Sequence, residues 1–184
     1  MAGLEDIGHV ELPGPLWQEI LGHCRRKIAG EYLPGESRVR RACGVLVGTR
    51  TGEAFCVTRI VPLRKNVRDE EPFKTYMDHI MEKYAVPSKT PLSRRGWITA
   101  PEELKACDEM CDREGLIIIG TYHTHNVPWA HDPLRDTPTR LDAVLAAGSS
   151  LFSFIVSLVD MHQPRIRAFY EGIREKEVPL VISG

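Results

Sequence analysis

A mixed α/β sheet flanked by helices is the fold class this sequence predicts, and three observations predict it. Short apolar strand-like runs and amphipathic helical segments intermix without regular βαβ alternation, which favours an α/β or α+β class with a mixed sheet. The chain has 184 residues, the size of one domain, so 1–184 reads as a single folded unit. Hydrophobic residues make up 42% and charged residues 27%, a balance that supports a packed core and excludes disordered or fibrous classes. Lys plus Arg number 24 and Asp plus Glu 25, for a net charge of -1, so no basic field points to nucleic acid or a membrane surface.

The elements follow in order. Residues 15–29 read as a helix, with Trp17, Leu21, Cys24 and Ile28 on one face and Arg25, Arg26 and Lys27 at the C-terminal end, where cations favour the dipole. Residues 30–42 are polar and read as a loop or strand lead-in. Residues 43–48 (Cys-Gly-Val-Leu-Val-Gly) form a continuous apolar strand of the kind buried on both faces. Thr49 to Gly52 is a turn, and Ala54 to Leu63 closes a hairpin. Residues 64–98 are charge-rich and interrupted by Pro72, Pro87 and Pro91, with a short helix around 73–84; a stretch of this length is a lid candidate. Thr99, Pro101 and Glu102 read as a capped helix start, Leu104, Cys107 and Cys111 as that helix's buried face, and Gly115 as its stop. Residues 116–122 are a central strand, and 138–148 a helix with Leu141, Val144 and Leu145 inward. Strands at 151–159, 165–170 and 178–182 complete the chain.

The five cysteines, Cys24, Cys43, Cys56, Cys107 and Cys111, form no C-x-x-C pair and suit a reduced, cytoplasmic chain. The Cys107/Cys111 spacing would also suit two metal ligands on a helix, but no other Cys or His pair accompanies it, so core packing is preferred. The first eight residues carry no basic or apolar leader pattern, and the longest apolar run, Leu116 to Ile119, is far short of a membrane span.

One motif carries chemistry. The central strand runs into His123-Thr-His125. Residues i and i+2 of an extended segment point the same way, so two imidazoles converge from one rigid strand. Two His and one carboxylate form a standard catalytic zinc set with a fourth position left open. Downstream carboxylates are Asp132, Asp136 and Asp142. Without a carboxylate, the His pair would read as polar residues at a strand end.

Residues 120–125 (Gly-Thr-Tyr-His-Thr-His) and 138–142 (Pro-Thr-Arg-Leu-Asp) resemble the zinc motif of the JAMM/MPN+ metalloprotease family, in its prokaryotic branch. The segments 16–24, 43–48, 154–157, 165–170 and 177–180 resemble further parts of that family, so that most of the chain outside 64–98 is covered. The resemblance implies a JAB/MPN-like domain with a mixed, curved sheet flanked by helices. It implies Zn2+ held by His123, His125 and Asp142. The family's usual spacing would place the carboxylate at Asp136 instead; Asp142 keeps the Pro-(Ser/Thr)-x-x-Asp pattern at the cost of an insertion in the loop 126–137. Asp136 is second and His131 third, either also suiting an outer partner that orients a ligand.

The resemblance further implies a catalytic Glu upstream of the Cys-Gly strand. Arg41 stands at that position, and a guanidinium cannot act as a base. Glu36, in a Pro-x-Glu-Ser context, takes the role if residues 38–42 are an insertion; Glu31 is the other carboxylate in this stretch. Thr139 stands at the family's oxyanion-binding Ser, or else caps a helix, as Thr137 could. The implied activity is hydrolysis of amide or isopeptide bonds at the C-terminus of a ubiquitin-like or sulfur-carrier protein. Residues 64–98 and 126–137 would form the groove walls, with Trp97 and Trp129 as aromatic contacts or loop anchors. The competing expectation is a catalytically silent scaffold of the same fold, lacking the Glu. A zinc deaminase would need H-x-E and P-C-x-x-C, and neither is present.

Overall fold

The structure is a computed structural model that describes residues 8–88 and 90–184; the leader reading above falls on residues that, apart from Gly8, lie outside these. One eight-stranded sheet takes strands from nearly the whole length of the chain. They are β1 (His9–Pro13), β2 (Cys43–Thr51), β3 (Ala54–Pro62), β4 (Ile117–His125), β5 (Phe152–Ser157), β6 (Arg165–Tyr170), β7 (Glu177–Val178) and β8 (Leu180–Ser183). Their spatial order is β7-β6-β5-β4-β2-β3-β1-β8. Pairing is parallel for β4–β5, β1–β3 and β1–β8 and antiparallel elsewhere, so the sheet is mixed as expected.

The last apolar run is two strands at opposite edges of the sheet, joined only by Pro179. A single residue cannot span a flat sheet of eight strands, which stand about 4.8 Å apart. The sheet must therefore curl until its edges nearly meet. Proline suits the corner: it has no N–H to continue the β7 ladder, and its carbonyl accepts from Val10 N–H at 2.9 Å to begin the β8–β1 ladder.

Helix α1 (Gly14–Ala29) packs Ile20, Leu21 and Cys24 against one face of the sheet, where Leu12, Leu46, Tyr122, Phe154 and Val156 are buried. Helix α3 (Pro101–Glu114) packs Cys107 and Cys111 against Cys43, Val45 and Val47 on the other face. The central strand β2 is thus covered on both sides, which is why its apolar run does not alternate. All five cysteines are free thiols, and Cys107 and Cys111 are core residues. At Gly44 an added Cβ would lie 2.2 Å from the Tyr122 ring, so only glycine lets that ring cross the strand.

Several local expectations are corrected. Strand β1 was not anticipated. Helix α3 begins at Pro101 with Ala100 at its N-cap and no side-chain cap, one residue beyond Thr99, whose hydroxyl accepts from Trp97 Nε1 at 3.0 Å. Leu104 and Leu145 are 41% and 39% exposed rather than inward. Segment 64–98 is better organised than its composition suggests. It contains helix α2 (Phe73–Tyr84), whose Met77 and Met81 are buried, and it closes around the buried Arg68. The Arg68 guanidinium contacts Asp69 and Asp78 at 3.0 and 2.5 Å and donates to the carbonyls of Arg95 and Leu92. No described helix is long and apolar enough to cross a membrane.

Candidate metal centre

Strand β4 pairs with β2 from Ile117 to His123 and with β5 from Gly120 to His125, so both histidines stand on a paired strand. The two imidazoles share one face of β4. Tyr122, just before them, takes the opposite face toward α1, where its hydroxyl meets His23 Nδ1 at 2.7 Å. Helix α4 (Arg140–Ala146) begins beside them. Thr139 is its N-cap: its hydroxyl accepts from Asp142 N–H at 3.3 Å, and the Asp142 carboxylate accepts from Thr139 N–H at 2.6 Å. This capping box turns the carboxylate back over the helix start, toward the imidazoles.

Three ligand atoms converge as a result. His123 Nε2 and His125 Nε2 are 3.2 Å apart. Asp142 Oδ1 is 3.4 Å from His123 Nε2, and Oδ2 is 3.9 Å from His125 Nε2. A tetrahedral ion with bonds of about 2.0–2.1 Å has ligand–ligand edges of about 3.3 Å, close to the two shorter spacings. The donor chemistry fits a cation. His125 Nδ1 lies 3.0 Å from the Arg135 carbonyl, so the proton sits on Nδ1 and the Nε2 lone pair faces the cluster. Burial, together with the charges of His123 and Arg135, pushes His125 down to about 3, so it is neutral at ordinary pH. Burial alone would raise Asp142, but His123, His125 and the Thr139 N–H outweigh it and hold the carboxylate well below its usual range.

Arg135 supports this arrangement from an uncommon backbone conformation, φ 52°, which is costly for a residue with a side chain. The loop 126–137 fixes it there. Asp132 accepts from Arg135 N–H, Ser157 donates to the Leu134 carbonyl, and the Arg135 guanidinium lies 3.4 Å over the Trp129 ring.

The other site candidates fall elsewhere. Asp136 is an ion-pair partner, 3.2 Å from Arg167 and 3.8 Å from Arg165, and does not join the cluster. His131 stacks near Trp129. Thr139 donates its single hydroxyl proton to Asp142 Oδ2 at 2.8 Å, so the capping and ligand-orienting role is the one its geometry fills. Glu36 is not among the described residues that line the cleft around the cluster. Both its oxygens are held by Arg26, at 2.6 and 2.7 Å, with Leu33 N–H and the buried Lys27 nearby. The Arg26 hydrogen bonds, aided by Leu33 and Lys27 against the opposing effect of burial, hold Glu36 at about 2, so it is a counter-ion and a poor base. Its local motif gave no sign that α1's last turn would reach it.

The cleft has a volume of about 430 Å³ and is walled by Met81 and Trp97 from segment 64–98 and by Trp129 from the loop 126–137. Arg41 lines it and donates to the Gly96 carbonyl at 3.0 Å. Sequence reasoning missed Arg95 and Arg135 as cleft residues, since nothing in their local sequence signals a meeting with Arg41.

The fold has counterparts among solved structures. A solution structure of protein DSY2949 from Desulfitobacterium hafniense is similar, with a TM-score of 0.60 at 21% identity, covering 95% of this chain and 92% of that one. A protein from Salinibacter ruber is similar at 21% identity with a TM-score of 0.46, covering 87% and 80%. No protein-family model matches the chain, and no curated protein matches it. At these identities the likeness concerns the fold alone.

Proposed function

We propose that this chain is a zinc-dependent hydrolase of amide or isopeptide bonds, with a JAMM/MPN+-like arrangement in which His123, His125 and Asp142 hold the ion. The observation that carries the reading is the convergence of three ligand atoms, one imidazole already fixed in its ligating tautomer, at the wall of a cleft. A ubiquitin-like or sulfur-carrier tail is the substrate the resemblance favours. When bound, zinc supplies Lewis acidity and an acidified water at neutral pH. The protein's own part is positional. The Arg135 carbonyl and the Thr139 hydroxyl orient ligands, as outer partners do in metal sites. The walls formed by Trp97, Met81 and Trp129 restrict water and would flank an extended tail.

A second reading has its own observation. Asp142 is the one acid among the described residues lining the cleft, and Arg41 lines it where the resemblance expects Glu. This favours a metal-binding member that does not hydrolyse. One experiment separates the readings: metal content and turnover measured on the same preparation. Zinc near one per chain, lost in Asp142→Ala and kept in Asp136→Ala, supports the centre. Cleavage of a ubiquitin-like conjugate by the loaded chain supports the hydrolase; full zinc with no cleavage supports the silent reading. Zinc retained by Asp142→Ala would reject the assignment.

A further inference from the structure

The whole chain is nearly neutral, with 24 basic against 25 acidic residues, yet the cleft is not. Arg40, Arg41, Arg95 and Arg135 all line it, and Asp142, already committed to the cluster, is the one acid among its described lining residues. These arginines come from the lead-in to β2, the segment after α2 and the loop before α4, so folding has gathered them.

Arg41 and Arg95 leave positive charge uncompensated. Arg41 donates to the Gly96 carbonyl, and Arg95 to the Val86 carbonyl at 2.8 Å. Neither has a carboxylate within ion-pair distance among the described residues. Arg135 is ion-paired with Asp132 at 3.6 Å and donates through Nε to the Val127 carbonyl, but its buried Nη1 makes no hydrogen bond. Its side chain is 8% exposed. Unpaired positive charge lining one cleft beside a buried donor is a cost that a bound anion would relieve, and guanidinium forks match carboxylate and phosphate geometry.

We infer that the cleft binds an oxyanion, a carboxylate or phosphate group of its ligand, at Arg41, Arg95 and Arg135, beside the His123/His125/Asp142 cluster. This deepens the proposed function and rests on it for the reaction, since it sets the charge of the substrate part that lies next to the cluster. The binding itself rests on the arginines alone.

The test is calorimetric titration of the full chain, treated with chelator, with inorganic phosphate and separately with succinate, at constant ionic strength. Saturable binding of either anion is expected. Tighter phosphate would point to a phosphate-bearing ligand and tighter succinate to a carboxylate. Arg41→Gln and Arg135→Gln should each weaken binding about tenfold, as loss of a charge-assisted hydrogen bond implies. Arg59→Gln removes the same charge from a remote pair with Glu114 and should leave binding unchanged. Thermal melts check that each variant is folded; should Arg135→Gln fail to fold, Arg41→Gln decides alone. No saturable binding of either anion, or equal weakening in Arg59→Gln, would overturn the inference. Because the metal is absent throughout, a failed zinc assignment would leave this result intact.

Discussion

Glu36 and His23 show how the surroundings of one residue decide its work. The Glu36 carboxylate is 1% exposed and held bidentately by Arg26. Its folded value of about 2 lies below the ordinary 4.5, so its contribution is complete above about pH 4.5 and is lost as pH falls toward 2. His23, pushed down to about 4 from 6.5 by burial and then by Arg26, acts in a neighbouring window: it stabilises the fold as a neutral ring, and that contribution is lost as pH falls from 6.5 toward 4. Glu36→Gln should therefore destabilise the chain by about 3 kcal/mol, as expected when one member of a buried pair is removed. It should also flatten the fall in stability between pH 4.5 and 2 while leaving zinc content unchanged. Denaturant melts over that pH range check this. A variant as stable as the parent, with lost turnover, would return Glu36 to a catalytic role.

At the scale of elements, α4 is short, and its start does two things. Thr139 caps the helix and hydrogen-bonds the carboxylate that faces the imidazoles. Thr139→Ala should cost about 1 kcal/mol of stability through the lost cap. It should also weaken zinc binding by about 10- to 100-fold through the lost orienting contact. Thr139→Ser, which keeps the hydroxyl, should restore both. Competition against a zinc chelator, beside thermal melts, would show whether the two losses travel together. The legibility of this site followed contact range. His-x-His on a strand and Thr-x-x-Asp at a helix start are local patterns whose directions follow from backbone geometry. Thr99 and Glu102 form an equally local pattern that failed, because the helix starts at Pro101 and Ala100 takes the cap position. Arg68 acts through Asp78 and the carbonyls of Leu92 and Arg95, 10, 24 and 27 residues away, which no local pattern encodes.

At the scale of the whole molecule, the near-closure of the sheet depends on its shortest strands. β1 lies between β3 and β8, both parallel to it, and buries Val10 and Leu12 completely. β8 pairs Leu180 to Ser183 with Val10 to Pro13, yet Val181 and Ile182 are largely exposed. Its contribution is therefore more in backbone pairing than in apolar burial. Without β8, β1 would become an edge strand whose outward N–H and C=O groups face water. Deleting residues 180–184 should lower the unfolding midpoint and speed amide exchange in His9–Pro13 by several orders of magnitude. β4 and β5, at the centre of the sheet, should keep their protection, since local opening follows local contacts. The His123/His125/Asp142 cluster rests on β4 and α4, so zinc binding should survive the deletion. Hydrogen exchange read strand by strand gives the answer: β1 protection equal to that of β4 in the shortened chain would mean that closure through β8 contributes nothing to holding the first strand.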